Sequence, residues 1–283
     1  MTPITSQQNP KIKELRKLQR SRDRTRTGLF LAEGEDLIAA AVAAGRPAVE
    51  GFRVAGIAIG DPTFEDVEAD VLASVSTLGS GTRAIGVYEQ RFGEAAGPLC
   101  VYLHGVSDPG NVGTVLRSAL AFGASSVALG PGCADPHSPK AVRASMGAIF
   151  AVALARVENL DELPGERCAL VAGEGKAIWE LADELADREE SARVGAREAS
   201  SREDALVSLT LVVGAERDGL PEGVVGACEH TARIPIASES LNAAMATTVA
   251  LYETTRPSNQ VTERGARLPG LRPAAPPSRV PAS

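Results

Sequence analysis

The sequence predicts an α/β protein built on a doubly wound, largely parallel sheet. Apolar runs of strand length, such as Leu99–Leu103 and Leu209–Val213, end within two residues of a glycine. These runs alternate with segments of helical periodicity, an arrangement typical of parallel strands that are covered on both faces. A short segment of small residues, Gly93–Pro98, separates a smaller α/β pattern from the main one, so we expect two domains.

The first predicted domain, residues 1–92, is a small α/β unit. Its predicted elements are a helix over Asn9–Arg20, a strand over Gly28–Gly34, a helix over Glu35–Ala44, strands within Val49–Ile59 and Ile85–Val87, and a helix over Thr63–Ala73. In the first helix Ile12, Leu15 and Leu18 recur at three-residue spacing, which places them on one face. Gly45 is a suitable end for the second helix.

The second predicted domain, residues 99–256, holds the main sheet. Its predicted elements are strands over Leu99–Leu103, Val127–Leu129, Ala151–Leu154, Cys168–Ala172 and Leu209–Val213, and helices over Val112–Phe122, Ser138–Met146 and Ser240–Thr255. Residues 184–206 are polar and weakly periodic, and we expect a helical or loose surface insertion without chemistry. From 257 to 283 Pro, Gly, Ser and Arg dominate, which predicts disorder.

Charge is unevenly distributed along the chain. The formal net charge is −7, which alone does not suggest a nucleic-acid-binding protein, yet eight basic residues lie between Lys11 and Arg26. Such a run binds phosphates without reading sequence, or it is simply a solvated helix face. The candidate RNA contacts in this run are Lys11, Lys13, Arg16, Lys17 and Arg20.

Cysteine and histidine positions argue against a disulfide framework or a metal site. The four cysteines are far apart and form no C-x-x-C pair, which favours a reducing, cytoplasmic compartment. Cys133 and His137 are four residues apart and His104 is elsewhere, but no further ligand accompanies them, so no metal is predicted. No apolar stretch reaches the length of a membrane span, and we expect no membrane association.

The first of three chemically informative loops is residues 108–119. Asp108 and Pro109 are turn formers, and Asn111 lies near the start of the helix that follows. Arg117 lies inside this otherwise apolar helix, so we expect it to be buried beside an anionic or hydroxyl partner. The alternative is an arginine that caps a neighbouring loop.

The other two loops follow the last strands. Gly214 and Glu216 come directly after Leu209–Val213, where ligands of open α/β sheets bind. No G-x-G-x-x-G follows any predicted strand, which disfavours a nicotinamide dehydrogenase. Ser240 is a suitable helix N-cap, and the polar Asn242 is unusual in an otherwise apolar first turn. Taken singly, each of these features is explained by a turn or a cap.

Taken together, in this order and spacing, the three loops resemble the signature motifs of the SpoU (TrmH) family of SPOUT methyltransferases. The resemblance covers Leu99–Tyr252. More loosely, Asn9–Lys13 and Phe30–Gly34 are similar to the small substrate-binding domain that many members acting on ribosomal RNA carry. The family resemblance implies a parallel sheet with a trefoil knot, S-adenosylmethionine as cofactor, RNA as substrate, and a homodimer with its site near the subunit interface.

The resemblance also implies roles for individual residues. The catalytic positions are Arg117, Asn111, Glu216, Ser240 and Asn242, and the cofactor contacts are Gly214, Ile234 and Leu241. The implied reaction is methylation of a ribose 2′-hydroxyl, with ribosomal RNA favoured over transfer RNA. Base methylation by a knotted enzyme and a non-catalytic RNA-binding factor remain alternatives. Departures from the family pattern at Arg217–Asp218 and Ala243–Met245 touch none of the assigned positions.

Overall fold

The first sheet belongs to the amino-terminal part of the chain. The computed structural model describes residues 2–59, 63–78, 81–173, 175–196, 208–237 and 240–256. The elements before residue 92 are α1 (Pro10–Leu18), α2 (Ser21–Thr27), β1 (Leu29–Glu33), α3 (Glu35–Ala43), β2 (Glu50–Val54), β3 (Glu65–Val67), α4 (Ala69–Ala73) and β4 (Ala84–Glu89). The strand order is β1-β4-β2-β3, with β4 antiparallel to both of its neighbours.

The second sheet is parallel throughout its seven described strands. Its strands are β5 (Leu99–Leu103), β6 (Ser126–Leu129), β7 (Ala153–Arg156), β8 (Glu166–Leu170), β9 (Lys176–Ala177), β10 (Leu209–Val213) and β11 (His230–Arg233). Its helices are α5 (Pro109–Ala121), α6 (Pro139–Ala144), α7 (Ala148–Ala151), α8 (Ile178–Ala196), α9 (Glu222–Val225) and α10 (Ala243–Thr255). The order β7-β6-β5-β10-β8-β11-β9 confirms the predicted parallel α/β fold. Because β10 lies between two strands that precede it in the chain, the order is compatible with the implied knot.

A continuous apolar core joins the two sheets. Phe30 and Tyr88 of the first sheet belong to the same buried cluster as Phe150 of α7. The Phe150 ring centroid lies 4.7 Å from that of Tyr88 and 5.9 Å from that of Phe30. The small sheet is therefore packed against the large one over a buried aromatic contact, in addition to being joined to it by residues 93–98.

A buried ion pair adds to this contact. Arg24 of α2 is 3% exposed, and its Nε and Nη2 donate to Asp135 Oδ2 at 2.9 and 2.6 Å. Its Nη1 donates to the carbonyl oxygens of Leu18 and Gln19 at 2.9 and 2.8 Å. Arg24 belongs to the basic run between Lys11 and Arg26, and because it is buried, neither the phosphate-binding nor the solvated-face interpretation of that run holds for this residue. Its guanidinium instead fixes α2 to the loop before α6.

His137 closes the same contact. Its ring is 2% exposed and lies 4.7 Å from the Phe30 centroid and 5.2 Å from that of Phe92. Burial in this aromatic surrounding lowers the pKa of His137 to about 4, so the imidazole is neutral at physiological pH. A neutral ring packs in an apolar contact without the cost of burying a charge.

The amino-terminal elements differ from prediction at two places. The helix expected over Thr63–Ala73 is wrong: its first half is β3, which pairs in parallel with β2, and only α4 is helical. Phe64 lies over Gly51, where an added Cβ would come within 2.1 Å of the ring, and this packing holds the segment extended. The expected helix over Asn9–Arg20 ends at Leu18, and a second helix, α2, follows; it ends at Thr27 and is capped by Gly28, whose φ is 69°.

The polar segment over residues 184–206 is partly described. Its first part continues α8, which begins at Ile178 and packs through buried Ile178, Leu181 and Leu185. Residues 197–207 and the predicted disordered tail, 257–283, lie outside the described residues.

We predict that Asp135→Ala destabilises the protein by about 3 kcal/mol, because it leaves the buried Arg24 guanidinium without its carboxylate. Urea unfolding followed by circular dichroism measures the change. Asp161→Ala is the control: that carboxylate pairs with Arg167 but is 97% exposed, so its loss should cost less than about 1 kcal/mol. Equal midpoints for the two variants would show that the Arg24 pair does not stabilise the fold.

Candidate active site

The site forms where β5 and β10 end at the same level. In the parallel register Val213 pairs with Leu103, and the backbone N–H of His104 donates to the Val213 carbonyl at 2.8 Å. The loop after β5, residues 104–108, and the loop after β10, residues 214–220, therefore leave the same edge of the sheet side by side. Carboxyl edges of parallel sheets are the usual ligand-binding edges of this fold class.

The first turn of α5 presents Asn111 to this edge. The helix begins at Pro109, three residues earlier than predicted, because Asp108 is its N-cap and Asp108 Oδ1 accepts from the Asn111 backbone N–H at 3.0 Å. Lys140 Nζ donates to the other oxygen, Oδ2, at 2.6 Å. This Lys140 hydrogen bond is the main reason that the pKa of Asp108 lies below its usual value.

The first turn of α10 presents Asn242. The expected N-cap, Ser240, is wrong: Asn242 itself caps the helix, and its Oδ1 accepts from the backbone N–H groups of Ala244 and Met245 at 2.9 and 3.3 Å. The unusual polar residue in the predicted first turn is thus explained by a cap, with its amide nitrogen left over for other contacts.

Asn111, Glu216 and Asn242 form a closed ring of hydrogen bonds. Asn242 Nδ2 donates to Asn111 Oδ1 at 3.0 Å and also to Glu216 Oε1. Asn111 Nδ2 donates to the same Glu216 oxygen. Each amide orientation is forced, since the cap uses Asn242 Oδ1 and the bond from Asn242 uses Asn111 Oδ1. Three side chains from three loops are therefore held in one arrangement.

A cavity of about 630 Å³ opens beside this ring. Its lining comes from the ends of β8 and β10, the segment after β11 and the start of α10. The predicted site residues in this lining are Gly214, Glu216, Ile234, Ser240 and Leu241. Its volume falls within the roughly 300–1,000 Å³ typical of small-molecule sites.

Gly214 is required by the loop itself. An added Cβ would come within 2.4 Å of the Gly219 carbonyl group and 2.7 Å of the Leu220 nitrogen. Residues 215 and 219 form a bridge, so the loop folds back tightly over Gly214. This close approach of the loop backbone accounts for the glycine, and the implied cofactor contact at Gly214 stays a prediction.

Arg117 lies apart from the cavity. It is exposed, which corrects the expectation of a buried guanidinium, and it is absent from the cavity lining. Asn111 and Arg117 are six residues apart on α5, about 9 Å along the helix axis. Within the described ranges no hydrogen bond or ion pair to the Arg117 side chain is found.

The five basic residues proposed for RNA fall into two groups. Lys11 pairs with Glu65 and Lys17 pairs with Glu14. Arg16 donates to Ser74 Oγ at 2.6 Å and to Gln7. Lys13 and Arg20 are exposed, and the part of the chain that the structure describes gives them no ion pair.

Neither metal binding nor membrane spanning is supported by the described residues. No group of three or more His, Cys, Asp or Glu side chains is placed to hold a metal ion among them. Cys133 donates to the Leu103 carbonyl, and burial raises the pKa of its thiol. None of the described helices combines the length and apolarity that crossing a bilayer requires.

Sequence reasoning missed two residues beside the ring. Asp108 was read as a turn former, although an Asp-Pro pair before a helix also signals an N-cap followed by proline at the first helical position. Lys140 carried no sequence signal, because its approach to Asp108 depends on how α6 packs on α5.

The fold and the polar ring define an α/β protein with a small-molecule cavity at the carboxyl ends of its parallel strands. Residues 98–252 match the SpoU rRNA Methylase family, and residues 9–86 match the MRM3-like substrate binding domain. The chain belongs to the SpoU rRNA Methylase family, which confirms the resemblance seen in the sequence motifs.

Full-length relatives agree with this assignment. An uncharacterized tRNA/rRNA methyltransferase of Synechocystis sp. is 29% identical over 89% of this chain and 93% of its own. The Bacillus subtilis 23S rRNA (guanosine(2553)-2′-O)-methyltransferase RlmP is 28% identical over 89% of this chain and 98% of its own. The crystal structure of an AdoMet-bound rRNA methyltransferase from Sinorhizobium meliloti has a TM-score of 0.73 and 27% identity, covering 89% of this chain and 97% of that one.

We predict that Asn242→Asp lowers methyl transfer by about 10- to 100-fold while changing stability little. Aspartate caps a helix as well as asparagine does, but the variant loses both amide donors and places a second carboxylate beside Glu216. Steady-state kinetics and thermal unfolding measure the two effects. Asn9→Asp, the same change at the N-cap of α1, controls for capping stability. Near-normal turnover of Asn242→Asp would mean that the ring is not part of the catalytic machinery.

Proposed function

We propose that the protein transfers a methyl group from S-adenosylmethionine to the 2′-hydroxyl of a nucleotide in ribosomal RNA. The observation that carries the proposal is the Asn111–Glu216–Asn242 ring beside a cavity of about 630 Å³. The names of the Bacillus relative and of the AdoMet-bound Sinorhizobium structure support the acceptor and the cofactor. The proposal includes a cytoplasmic location, where such a substrate is found.

The cavity suits S-adenosylmethionine. Apolar side chains of Ile234, Ile236 and Leu241 offer surfaces for an adenine ring, and backbone groups of residues 170–172 and 213–214 offer hydrogen-bonding partners. The bound cofactor supplies an electrophilic methyl on a sulfonium, so the chain's task is to position and activate the acceptor oxygen.

The polar ring would orient the acceptor ribose. Glu216 Oε1 already accepts from two amides, and within the described residues no donor is recorded at Oε2. We assign this second oxygen to a hydroxyl of the ribose. Because the ring is fixed by a helix cap at each end, the acceptor would be held without further reorganisation, and such pre-alignment removes several kcal/mol of barrier in favourable cases.

Arg117 would stabilise the oxygen as it becomes negative. Its guanidinium offers five donors in a fixed plane and is always charged, so it suits the 2′-oxygen or the adjacent phosphate. The hydroxyl proton then passes to a phosphate oxygen or to water, since Arg117 has no capacity to accept it. This role requires the RNA or a second subunit to bring Arg117 to the acceptor.

We infer that a second copy of the chain covers the face on which Arg117 lies. α5 and α10 pack together, with Ser118 Oγ and Thr248 Oγ1 2.7 Å apart. Their outer face carries apolar side chains of high exposure. These are Leu120 at 48%, Met245 at 62%, Val249 at 36% and Tyr252 at 54%. Met245, Val249 and Tyr252 recur at helical spacing along α10, and an exposed apolar row of this kind marks an interface. A homodimer formed there would place Arg117 at the subunit boundary.

The proposed activity predicts a specific product. Ribosomal RNA incubated with the protein and labelled S-adenosylmethionine, then digested to nucleosides, should yield a 2′-O-methylated nucleoside by mass spectrometry. Arg117→Ala should lower the rate by about 100- to 1,000-fold, the range found when one charge-stabilising donor is removed. Its affinity for S-adenosylmethionine, measured by calorimetry, should stay within about twofold because Arg117 does not line the cavity.

Other products would point to other functions. A base-methylated nucleoside would exclude ribose as the acceptor, and methylation of transfer RNA alone would exclude ribosomal RNA as the substrate. Cofactor binding without any methylated product would favour a non-catalytic RNA-binding factor. Lost cofactor affinity with preserved turnover in Arg117→Ala would contradict the role given to that residue.

The dimer predicts a change in mass on a single substitution. Wild type should sediment at twice the mass of the chain, and Met245→Glu should shift it to the monomer, because the charge would be buried in the interface. Val42→Glu is the matched control, since Val42 is 67% exposed on α3 of the other domain. Wild type that sediments as a monomer would refute the dimer.

A further inference from the structure

α6 connects the catalytic edge with the amino-terminal domain. On one side it lies against α5, where an added Cβ on Gly113 would come within 2.3 Å of the Ala141 carbonyl oxygen. On its other side Val142 and Arg143 line a narrow crevice that they share with Leu31 of β1. The helix is six residues long and follows the loop that Arg24 holds through Asp135. Its position is therefore fixed from both domains.

The charged residues of α6 are both basic and both exposed. Lys140 and Arg143 are three positions apart and lie on neighbouring turns of the same face. Lys140 pairs with Asp108, whereas the described residues provide the Arg143 guanidinium with no ion pair or hydrogen bond. By contrast, α8 carries a run of carboxylates. These are Glu180, Asp183, Glu184, Asp187, Glu189 and Glu190. In an acidic protein, α6 is thus a local basic surface.

Lys140 can exchange its ion pair with Asp108 for a contact with another anion. Asp108 caps α5 through Oδ1, but it receives Lys140 through Oδ2. Lys140 can therefore turn to another anion without removing the N-cap that presents Asn111 to the ring. The pair is about half exposed, so breaking it costs little.

The surface beyond Arg143 continues to α1. Thr77 lines the same crevice as Arg143, and its hydroxyl donates to Glu33 at 2.8 Å. Three residues earlier, Ser74 accepts from Arg16 of α1 at 2.6 Å. The segment 74–78 thus lies between α6 and the basic helix, with the catalytic ring at one end of the path and α1 at the other.

We propose that α6 is a phosphate-binding bridge on which Lys140 and Arg143 hold the RNA strand between the acceptor nucleotide and α1. The inference rests on the proposed function and names a surface for it. An RNA that reaches both the ring and the basic helix must cross α6, and a phosphate backbone needs cations along that path. Neither residue reads a base, so both position the RNA without selecting its sequence.

The test measures RNA binding in the absence of S-adenosylmethionine. The probe is an in vitro transcript of large-subunit ribosomal RNA, and the variant is Lys140→Gln with Arg143→Gln. The slope of log affinity against log salt is negative, and losing two phosphate contacts should make it shallower by about 1.4–1.8. If the two curves converge near 1 M salt, affinity at 0.1 M falls by about 25-fold or more. The KM for RNA should rise while kcat and cofactor affinity stay near the wild-type values.

The control variant also removes one lysine and one arginine charge, but at positions away from α6. Lys176→Gln with Arg188→Gln breaks two exposed pairs, and Lys176 matches Lys140 in exposure, at 56%, and in ion-pair length, at 2.6 Å. This control should keep the wild-type salt slope. An unchanged slope in the α6 variant, or an equal loss in both variants, would overturn the proposal. Wild type that binds RNA but forms no 2′-O-methylated product would contradict the proposed function and leave the α6 result standing.

Discussion

The position of β10 between β5 and β8 is the constraint on which the site depends. Parallel strands that end level direct their loops to one edge, and the register of Val213 with Leu103 does this for the loops that carry Glu216 and Asn111. These two residues are 105 positions apart in sequence, yet the Asn111 amide reaches the Glu216 carboxylate. Any other place for β10 in the sheet would separate them. The cavity has the same origin, since the end of β8 on the other side of β10 supplies its opposite wall.

Asn242 has two structural tasks: it caps α10, and it holds the polar ring together. Serine or aspartate would cap α10 equally well, but neither can donate to both the Glu216 carboxylate and the Asn111 amide oxygen while its own oxygen accepts from the backbone. Asparagine is therefore required here for both its amide oxygen, which caps the helix, and its amide nitrogen, which donates to the ring. The cap fixes the orientation of that amide, so the start of α10 holds Glu216 in place. A change that destabilises the first turn of α10 would therefore also displace Glu216.

The sequence pattern predicted those features that depend on residues close together in the chain. β5 and β10 match their expected bounds, and the motif order singled out Gly214, Glu216 and Asn242, which the structure brings to the same edge of the sheet. The misses depend on tertiary contacts. The segment Thr63–Ala73 has helical composition, but pairing with β2 and the ring of Phe64 over Gly51 make half of it a strand. Arg24 looked like its basic neighbours, and only the approach of Asp135 distinguishes it.

The exposure of Arg117 has an electrostatic consequence for how the site works. At about 4 Å a pair of opposite charges interacts by about 1 kcal/mol in water and by about 4 kcal/mol near a partly desolvated surface. An arginine that remains in water would therefore stabilise a developing alkoxide weakly. No described part of the chain covers Arg117, which is exposed to solvent. Exposed apolar side chains of α5 and α10 lie on the same helices, and a partner or RNA that bound over them would exclude water from this region. The role proposed for Arg117 therefore requires that a bound partner or RNA exclude water from its guanidinium, because the subunit alone leaves that side chain exposed.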